Sequence, residues 1–519
     1  MGKSSLLRRM VAGDLPEWPE GIRTILVPQD VSATDPLFKQ GETALDCAIK
    51  STVPADEDAP ERDIKKRTEL ALAKLKRMGF GEKRRTQAFN TLSQGWKQRL
   101  AVVCAVLSEP DLLLLDEPSD AVDLPGIVKL ERFLLEESEN RVLVDVSHDE
   151  SFLSQVATDI IYFDNKKLKV FPGDYLSFVE RQKEKEKAME ARVDAADRQR
   201  DAAEAFIRKQ QNSTDANKQK QAKEKRDKLE RVGNYREDGR RYKTNSLKKL
   251  SEDFVRLPDK VPDKLVKAKE LHFHFPEEPS SRRVGPDVSL LRYDQVTIGY
   301  DSNPILKNVT LQLTPKSRVA LVGENSSGKS TLMNALCGKP PVKVTGGATS
   351  SYPNLIVAYV PQRAGEGLMA REGSATPAEL LIKDGIFLSE QDARQHLGRF
   401  GLSGKLGVTK ISLLSGGQRT RLAIAMACSK SNPNILILDE PSHGLDAPAR
   451  RALAEALQSF PGALLVSSHD REFIREARFN QLWITTKGSL RCIAARVEEE
   501  EEDQLEAFRE IFDDYLESL

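Results

Sequence analysis

Two stretches of this sequence carry side chains suited to handling phosphate, a divalent cation and an attacking water. The first is Gly323-Glu324-Asn325-Ser326-Ser327-Gly328-Lys329-Ser330, followed by Thr331, which fits the pattern GxxxxGK[ST]. Backbone N–H groups of such a loop, with the positive end of the helix it opens, cradle phosphate oxygens. Lys329 supplies a cation to the β- and γ-phosphates, and Ser330 offers a hydroxyl oxygen to Mg²⁺. The second stretch is Asp439-Glu440, directly after the apolar run Ile435–Leu438. Asp439 suits a magnesium ligand acting through water, and Glu440 suits a general base that polarises the attacking water. His469, after the apolar run Ala463–Ser467, suits a contact to the γ-phosphate and that water. The chemistry these groups share is hydrolysis of a nucleoside triphosphate.

The positioning elements follow from pattern. Val319–Val322 reads as a buried strand feeding the loop, and Thr331-Leu332 continue the helix that the loop opens. The same chemistry occurs a second time along the chain. Leu112–Ser119 (LLLLDEPS) recurs as Ile435–Ser442 (ILILDEPS), Ser147-His148-Asp149 as Ser468-His469-Asp470, and Leu92-Ser93-Gln94-Gly95-Trp96 as Leu414-Ser415-Gly416-Gly417-Gln418. Gly2-Lys3-Ser4, with Ser5, recurs as Gly328-Lys329-Ser330 with Thr331. The order is the same in both copies, and Glu117 stands 31 residues before His148 as Glu440 stands 29 before His469. By repetition Glu117 and His148 take the catalytic roles in the first copy, and Ser4 and Asp116 the metal-binding ones.

The chain has 519 residues, room for two or three domains. No run of 18 apolar residues suggests a membrane span. Five scattered cysteines fit neither a disulfide framework nor a metal site, which points to reduced core residues and the cytoplasm. The Met1-Gly2 start has Leu6 where myristoylation wants Ser or Thr. Formal charge is zero overall, yet residues 181–250 hold 22 Lys and Arg against 13 Asp and Glu, and residues 497–519 hold 11 acids against one Arg. Residues 180–232 are rich in helix formers, with a break at Gln211–Asp215, and read as a solvated helical hairpin whose first helix spans about 45 Å. The expected organisation is a first domain at 1–177, a charged linker at 178–262, a second domain at 263–495 and an acidic tail at 496–519.

Leu414–Gln418 resembles the LSGGQ element of ATP-binding-cassette ATPases, and with the phosphate loop it is highly specific. The resemblance implies an α/β fold: two P-loop nucleotide-binding domains of the ABC type, joined by the helical hairpin. It implies ATP and Mg²⁺ as ligands and head-to-tail pairing, with each phosphate loop facing the LSGGQ of the other domain. Ser415, Gly416, Gly417 and Gln418, and Ser93 and Gly95 in the first copy, are then the signature residues. The resemblance also implies Tyr300 as the adenine-stacking aromatic, Gln362 and Gln29 as the Q-loop glutamines near nucleotide and metal, and Asp446 as the D-loop aspartate. Two such domains around a charged linker resemble the ABC-F branch. Within it, Thr158–Tyr162, Gly173-Asp174-Tyr175, His396–Gly401 and Leu482-Trp483 are similar to the eukaryotic general-control type. That branch implies action at the ribosome, with the basic linker against the tRNA backbone and only Tyr235 and Tyr242 available for stacking.

The first copy departs from the pattern. Met1 stands directly before Gly2, so the glycine-rich half of its loop, the strand before it and its aromatic are missing from the sequence. It therefore reads as N-terminally truncated, an incomplete gene model with sheet edge and core left exposed. Gln94 takes the place of the first signature glycine, where it would crowd a γ-phosphate or block a left-handed conformation. Ser326 stands where the family has glycine. The alternatives to a translation factor are an ATP-dependent scaffold regulating a kinase or assembly partner, with the acidic tail as a protein contact, and the ATPase subunit of a membrane transporter.

Overall fold

In the computed structural model, residues 3–16, 18–19, 21–31, 41–52, 62–138, 141–164, 167–211, 217, 220, 223, 273–275, 284–301, 303–428, 433–442, 444–445, 447–495 and 501–519 are described. Gly2, Asp446, Tyr235, Tyr242 and the expected second linker helix lie outside them, apart from single positions of that helix. The chain forms two compact units, Met1–Ala157 with Leu271–Leu519, and Thr158–Glu270.

The first copy begins with helix α1 (Lys3–Ala12) and strand β1 (Thr24–Val27). Helix α2 (Gln94–Leu107), strand β2 (Leu112–Asp116), helix α3 (Leu124–Glu137), strand β3 (Val142–Val146) and helix α4 (Glu150–Val156) follow. The strands pair in parallel in the order β1-β2-β3. All five residues of β2 are buried, as a strand covered on both faces requires.

The linker unit holds an antiparallel pair, β4 (Asp159–Asp164) and β5 (Lys167–Pro172), and the helix α5 (Tyr175–Gln211). At 37 residues, α5 is longer than the sequence suggested and spans about 55 Å.

The second copy opens with an antiparallel pair, β6 (Leu291–Tyr300) and β7 (Asn303–Leu313). Strand β8 (Arg318–Gly323) then feeds helix α6 (Lys329–Leu336). Strands β9 (Val342–Thr345) and β10 (Ala348–Ser351) both pair with β6. Next come β11 (Val357–Val360), α7 (Gly416–Ala427), β12 (Ile435–Asp439), α8 (Ala447–Gln458), β13 (Ala463–Ser467), α9 (Arg471–Glu476), β14 (Gln481–Thr486) and β15 (Ser489–Ala494). The central sheet runs β11-β12-β13-β8-β14-β15. Its five strands β11 to β14 are parallel neighbours, so the loops after β8, β11, β12 and β13 emerge at one edge, where ligands of such sheets bind.

Comparing the copies explains two differences from the expected boundaries. Strand β8 lies between β13 and β14, and every residue of β13 is buried. Among the described residues no strand takes that position beside β3, and Val142 is 61% exposed. The hairpin β4–β5 stands in chain order where β14–β15 stand in the second copy, but it falls in the linker unit, so the first compact portion ends at Ala157 rather than at residue 177.

The acidic tail is the other difference. Residues 501–517 form helix α10, whose Phe508 and Phe512 are fully buried in the core of the second copy. Phe508 packs on Phe479, and Arg475 pairs with Asp513 at 2.6 Å. The helix is acidic outside and apolar inside, so it extends the second domain. Phe512→Ala should destabilise the unfolding transition of the second domain by about 3–5 kcal/mol in urea titrations. A loss below about 1 kcal/mol would mean that the helix is not docked.

Candidate active site

Strand β8 ends in Gly323, whose φ of 145° is open to glycine, and a Cβ there would lie 2.3 Å from the Thr485 carbonyl oxygen. The loop then turns over Glu324-Asn325-Ser326-Ser327. Ser326 holds φ at 64°, so this serine adopts the left-handed backbone that the expected glycine takes freely. Ser327 Oγ lies 2.6 Å from Thr485 Oγ1, tying the loop to β14. Gly328, at φ 109°, caps α6. Lys329 Nζ donates to the carbonyl oxygens of Gly323 at 2.6 Å and Glu324 at 3.1 Å, and its burial lowers its pKa. This is a preformed cradle with one cation at its centre.

Ser330 Oγ donates to Asp439 Oδ2 at 3.1 Å, and Tyr359 OH reaches the same oxygen at 3.4 Å. Among the described residues no group of three or more Asp, Glu, His or Cys side chains could hold a metal ion. A hydroxyl beside a single carboxylate fits Mg²⁺, which keeps waters and shares its shell with substrate phosphates. Burial raises the Asp439 pKa.

Glu440 sits at φ 51°, with its N–H on the Ser467 carbonyl oxygen at 2.9 Å. This strained turn aims its carboxylate back across the sheet edge. Glu440 Oε2 accepts the His469 N–H at 3.2 Å, and Oε1 lies 3.3 Å from His469 Nε2. Burial pushes the Glu440 carboxyl up to about 8, against the attraction of Lys329, and depresses the pKa of His469. The first copy repeats the arrangement. Glu117 has φ 50°, donates its N–H to Val146 at 2.7 Å, and accepts the His148 N–H at 3.0 Å. Ser4 Oγ donates to Asp116 Oδ1 at 3.1 Å, and Lys3 Nζ lies 3.4 Å from His148 Nε2. Burial raises Glu117 to about 7. Ser5 follows on the outer face of α1. The copies differ in cover: the His148 side chain is 76% exposed and that of His469 is 19% exposed.

The remaining expected residues surround these centres. Gln29 and Gln362 each stand two residues beyond a strand end, after Val27 and Val360, and Gln29 Nε2 donates to Asp120 Oδ2 at 3.1 Å. Tyr300 ends β6, with its hydroxyl 3.4 Å from Thr331 Oγ1. Ser415 caps α7 in a reciprocal box with Gln418. A Cβ on Gly417 would lie 3.0 Å from the Gly444 carbonyl oxygen, and one on Gly95 would lie 2.3 Å from that of Ala121. Close backbone approach therefore requires the second signature glycine at Gly95 and leaves little room for a Cβ at Gly417.

Ser93 caps α2 without a side-chain hydrogen bond, and Trp96 stands at the position from which Gln418 reaches back to the Ser415 N–H in the second copy. Trp96 turns inward onto Phe80, with the Arg84 and Arg99 guanidiniums 3.9 and 4.1 Å from its ring centroid. Gln94 is the first helical residue and has no positive φ, which corrects the expectation that a side chain there blocks a left-handed conformation.

Two site residues escaped the sequence reading. Asp123 pairs with Arg99, and its Oδ2 accepts the Asn325 N–H of the second phosphate loop at 2.6 Å. Leu124 donates its N–H to His469 Nδ1 at 3.3 Å. A neutral His469 that accepts there carries its proton on Nε2, facing Glu440. The signal for Asp123 was the repeat itself, since it stands where Asp446 stands in the second copy.

A sequence profile described as "ABC transporter" matches residues 1–120 and 306–443, and a second profile with that description, an extension, matches 161–247. The chain belongs to the ATP-binding-cassette family. It is 34% identical over 417 residues to Protein GCN20 of Saccharomyces cerevisiae, and 32% identical over 418 residues to ATP-binding cassette sub-family F member 3 of Mus musculus. Each match covers 80% of this chain, and the chain spans about half of these curated relatives, 50% and 52%. ABC transporter F family member 4 of Arabidopsis thaliana is 29% identical over 97% of this chain and 71% of its own length. Among solved structures, archaeal ribosome recycling factor aABCE1, in complex with ribosomal stalk protein aP1, aligns over 99% of this chain and 86% of its own at a TM-score of 0.58 and 18% identity. The RNase-L inhibitor aligns over 95% and 83% at 0.55 and 20% identity. These likenesses confirm the tandem-cassette fold. Among the described residues no helix is long and apolar enough to cross a membrane.

The raised Glu440 pKa has a consequence for stability. Between about pH 4.5 and 8 the folded chain holds a proton on Glu440 that the unfolded chain releases, so stability falls as pH rises through that window. Glu440→Gln removes this loss. Without nucleotide, the variant should melt above the wild type at pH 8.5, and the difference should vanish below pH 4.5. A gap of equal size at both pH values would refute the buried-carboxyl assignment.

Proposed function

We propose that this chain binds and hydrolyses Mg·ATP at sites shared between its two cassettes, and that cassette closure acts on the ribosome. The observation that carries the first part is the reach of Asp123 and Leu124 from the first cassette onto Asn325 and His469 of the second. A nucleotide bound on Lys329 is therefore read by both cassettes.

Lys329 and the loop N–H groups bind the phosphates, and Ser330 and Asp439 would hold Mg²⁺, which would supply charge neutralisation at the phosphoryl group. Glu440 orients the attacking water and takes its proton. A carboxyl whose pKa lies near neutrality is matched to that task. His469 contributes Nε2–H toward the same water and the γ-phosphate oxygen. Tyr300, Gln362 and the signature residues Ser415 to Gln418 and Ser93 and Gly95 complete the nucleotide contacts. In the first cassette Lys3, Ser4, Asp116, Glu117 and His148 supply the same set.

The ribosomal part rests on the F-subfamily relatives, on the ribosome-associated proteins that share the fold, and on the excess of Lys and Arg across residues 181–250. Phosphate-backbone contact, with tRNA as the target of the linker, is what that charge favours. The setting is cytoplasmic.

Sucrose-gradient sedimentation of Glu440→Gln with ATP tests both parts. In a Lys3→Ala background, where only the second loop keeps its lysine, the variant should hydrolyse ATP at least about a hundredfold more slowly than that background and accumulate in ribosomal fractions. Lys329→Ala should abolish ATP-dependent co-sedimentation. Full turnover by Glu440→Gln would overturn the catalytic assignment, and an ATP-bound variant that stays at the top of the gradient would overturn the ribosomal one.

A further inference from the structure

The two cassettes meet along α3 and α4 of the first and α8 and α9 of the second. The charges that meet there are not repeated between the copies. Arg471, the first residue of α9, pairs across the interface with Glu131 on α3, and these side chains are only 8% and 7% exposed. Arg451 of α8 pairs with Glu150, the first residue of α4, at 2.9 Å, and Arg450 lies 3.9 Å from the same carboxylate. Arg450 also donates to the His148 carbonyl oxygen at 3.3 Å and pairs with Asp470 at 2.9 Å. Ser151 Oγ donates to Glu472 at 3.0 Å.

Placing the copies in register, Glu150 corresponds to Arg471, Glu131 to Ala454, and Ile127-Val128 to Arg450-Arg451. The first cassette thus brings the acids of these pairs and the second brings the arginines. Were two second cassettes to meet in the same geometry, Arg471 would face Arg450 and Arg451 of the other copy, with Ala454 where an acid is needed. Were two first cassettes to meet, Glu131 would face Glu150, and no arginine would stand at Ile127 or Val128. The aspartates that cap α4 and α9, Asp149 and Asp470, are two further acids at this seam. Burial and Asp470 raise the pKa of Asp149, and Arg471 and Arg450 oppose this. Only the unlike pairing brings both arginine groups to both acids.

We propose that these charges form a pairing code: Glu131 and Glu150 on one cassette and Arg450, Arg451 and Arg471 on the other admit the unlike cassette as partner and reject a like one. An isolated charge at the buried Glu131–Arg471 position is strongly unfavourable, so discrimination there comes from the repelled pairings as much as from the ion pair formed. Closure is thereby confined to the first and second cassette together, and neighbouring chains are kept from closing through like cassettes.

Charge exchange in the full chain tests this. Glu131→Arg and Arg471→Glu should each lower ATP turnover at least about tenfold. The double variant Glu131→Arg/Arg471→Glu, which restores an opposite pair with reversed polarity, should return to within about threefold of wild type. Near-ultraviolet circular dichroism shows whether each single variant is folded; the double variant decides the outcome where one is not. Mixing the two single variants should also recover turnover in a one-to-one dimer, because each then offers the other a complementary cassette. Recovery in the double variant supports the code. Failure of both the double variant and the mixture overturns it, as does wild-type turnover in both single variants. Wild-type turnover measured alongside keeps this outcome separate from the ATPase reading itself.

Discussion

The Asp123 carboxylate is held on one side by Arg99 and accepts the Asn325 N–H of the opposite phosphate loop on the other. Next to it, the Leu124 N–H fixes the ring of His469, and the Leu124 side chain is buried in the core of the second cassette. The loop at Asn325, the ring of His469 and a hydrophobic core thus depend on two residues supplied from outside the cassette they serve. The rest of the structure can be ordered around that contact. The parallel sheets place Asp123 beyond the end of β2 and His469 beyond the end of β13, and the helices that follow carry the ion pairs closing the seam.

Duplication makes each copy a control for the other. Both strained glutamates, Glu117 and Glu440, take a φ near 50°, and both lie beside a histidine ring nitrogen at 3.3 Å. The fold thus imposes this geometry twice, although the two strands before it, LLLLD and ILILD, differ in sequence. Where the copies diverge, local cause is visible. Trp96 abandons the capping role that Gln418 performs and becomes core. The result is an α2 terminus anchored by aromatic and guanidinium packing, where α7 uses reciprocal hydrogen bonds.

Much of this was legible in the residues. Short apolar runs ending in Asp-Glu announce strands buried on both faces with carboxylates at the sheet edge, because only such a strand can be apolar at every position. The loop at Gly323–Ser330 and its helix follow from glycine spacing. Contacts that form only when distant segments meet were not legible, which is why the partners of Asp123 and the arginine seam escaped. The C-terminal helix differs from the expected tail for a different reason. Its net charge belongs to one face, and the spacing of Phe508, Ile511, Phe512 and Tyr515 marks another that is apolar. Charge described the surface of that segment and the period described its destination.

The claim that one cassette completes the other's site is most directly tested by single-turnover ATP hydrolysis in the Lys3→Ala background, where the second phosphate loop alone has its lysine. Adding Asp123→Ala should slow that turnover about tenfold or more while leaving nucleotide retention on Lys329 within about threefold. An unchanged single-turnover rate would contradict the account, because the first cassette would then contribute nothing to the site it touches.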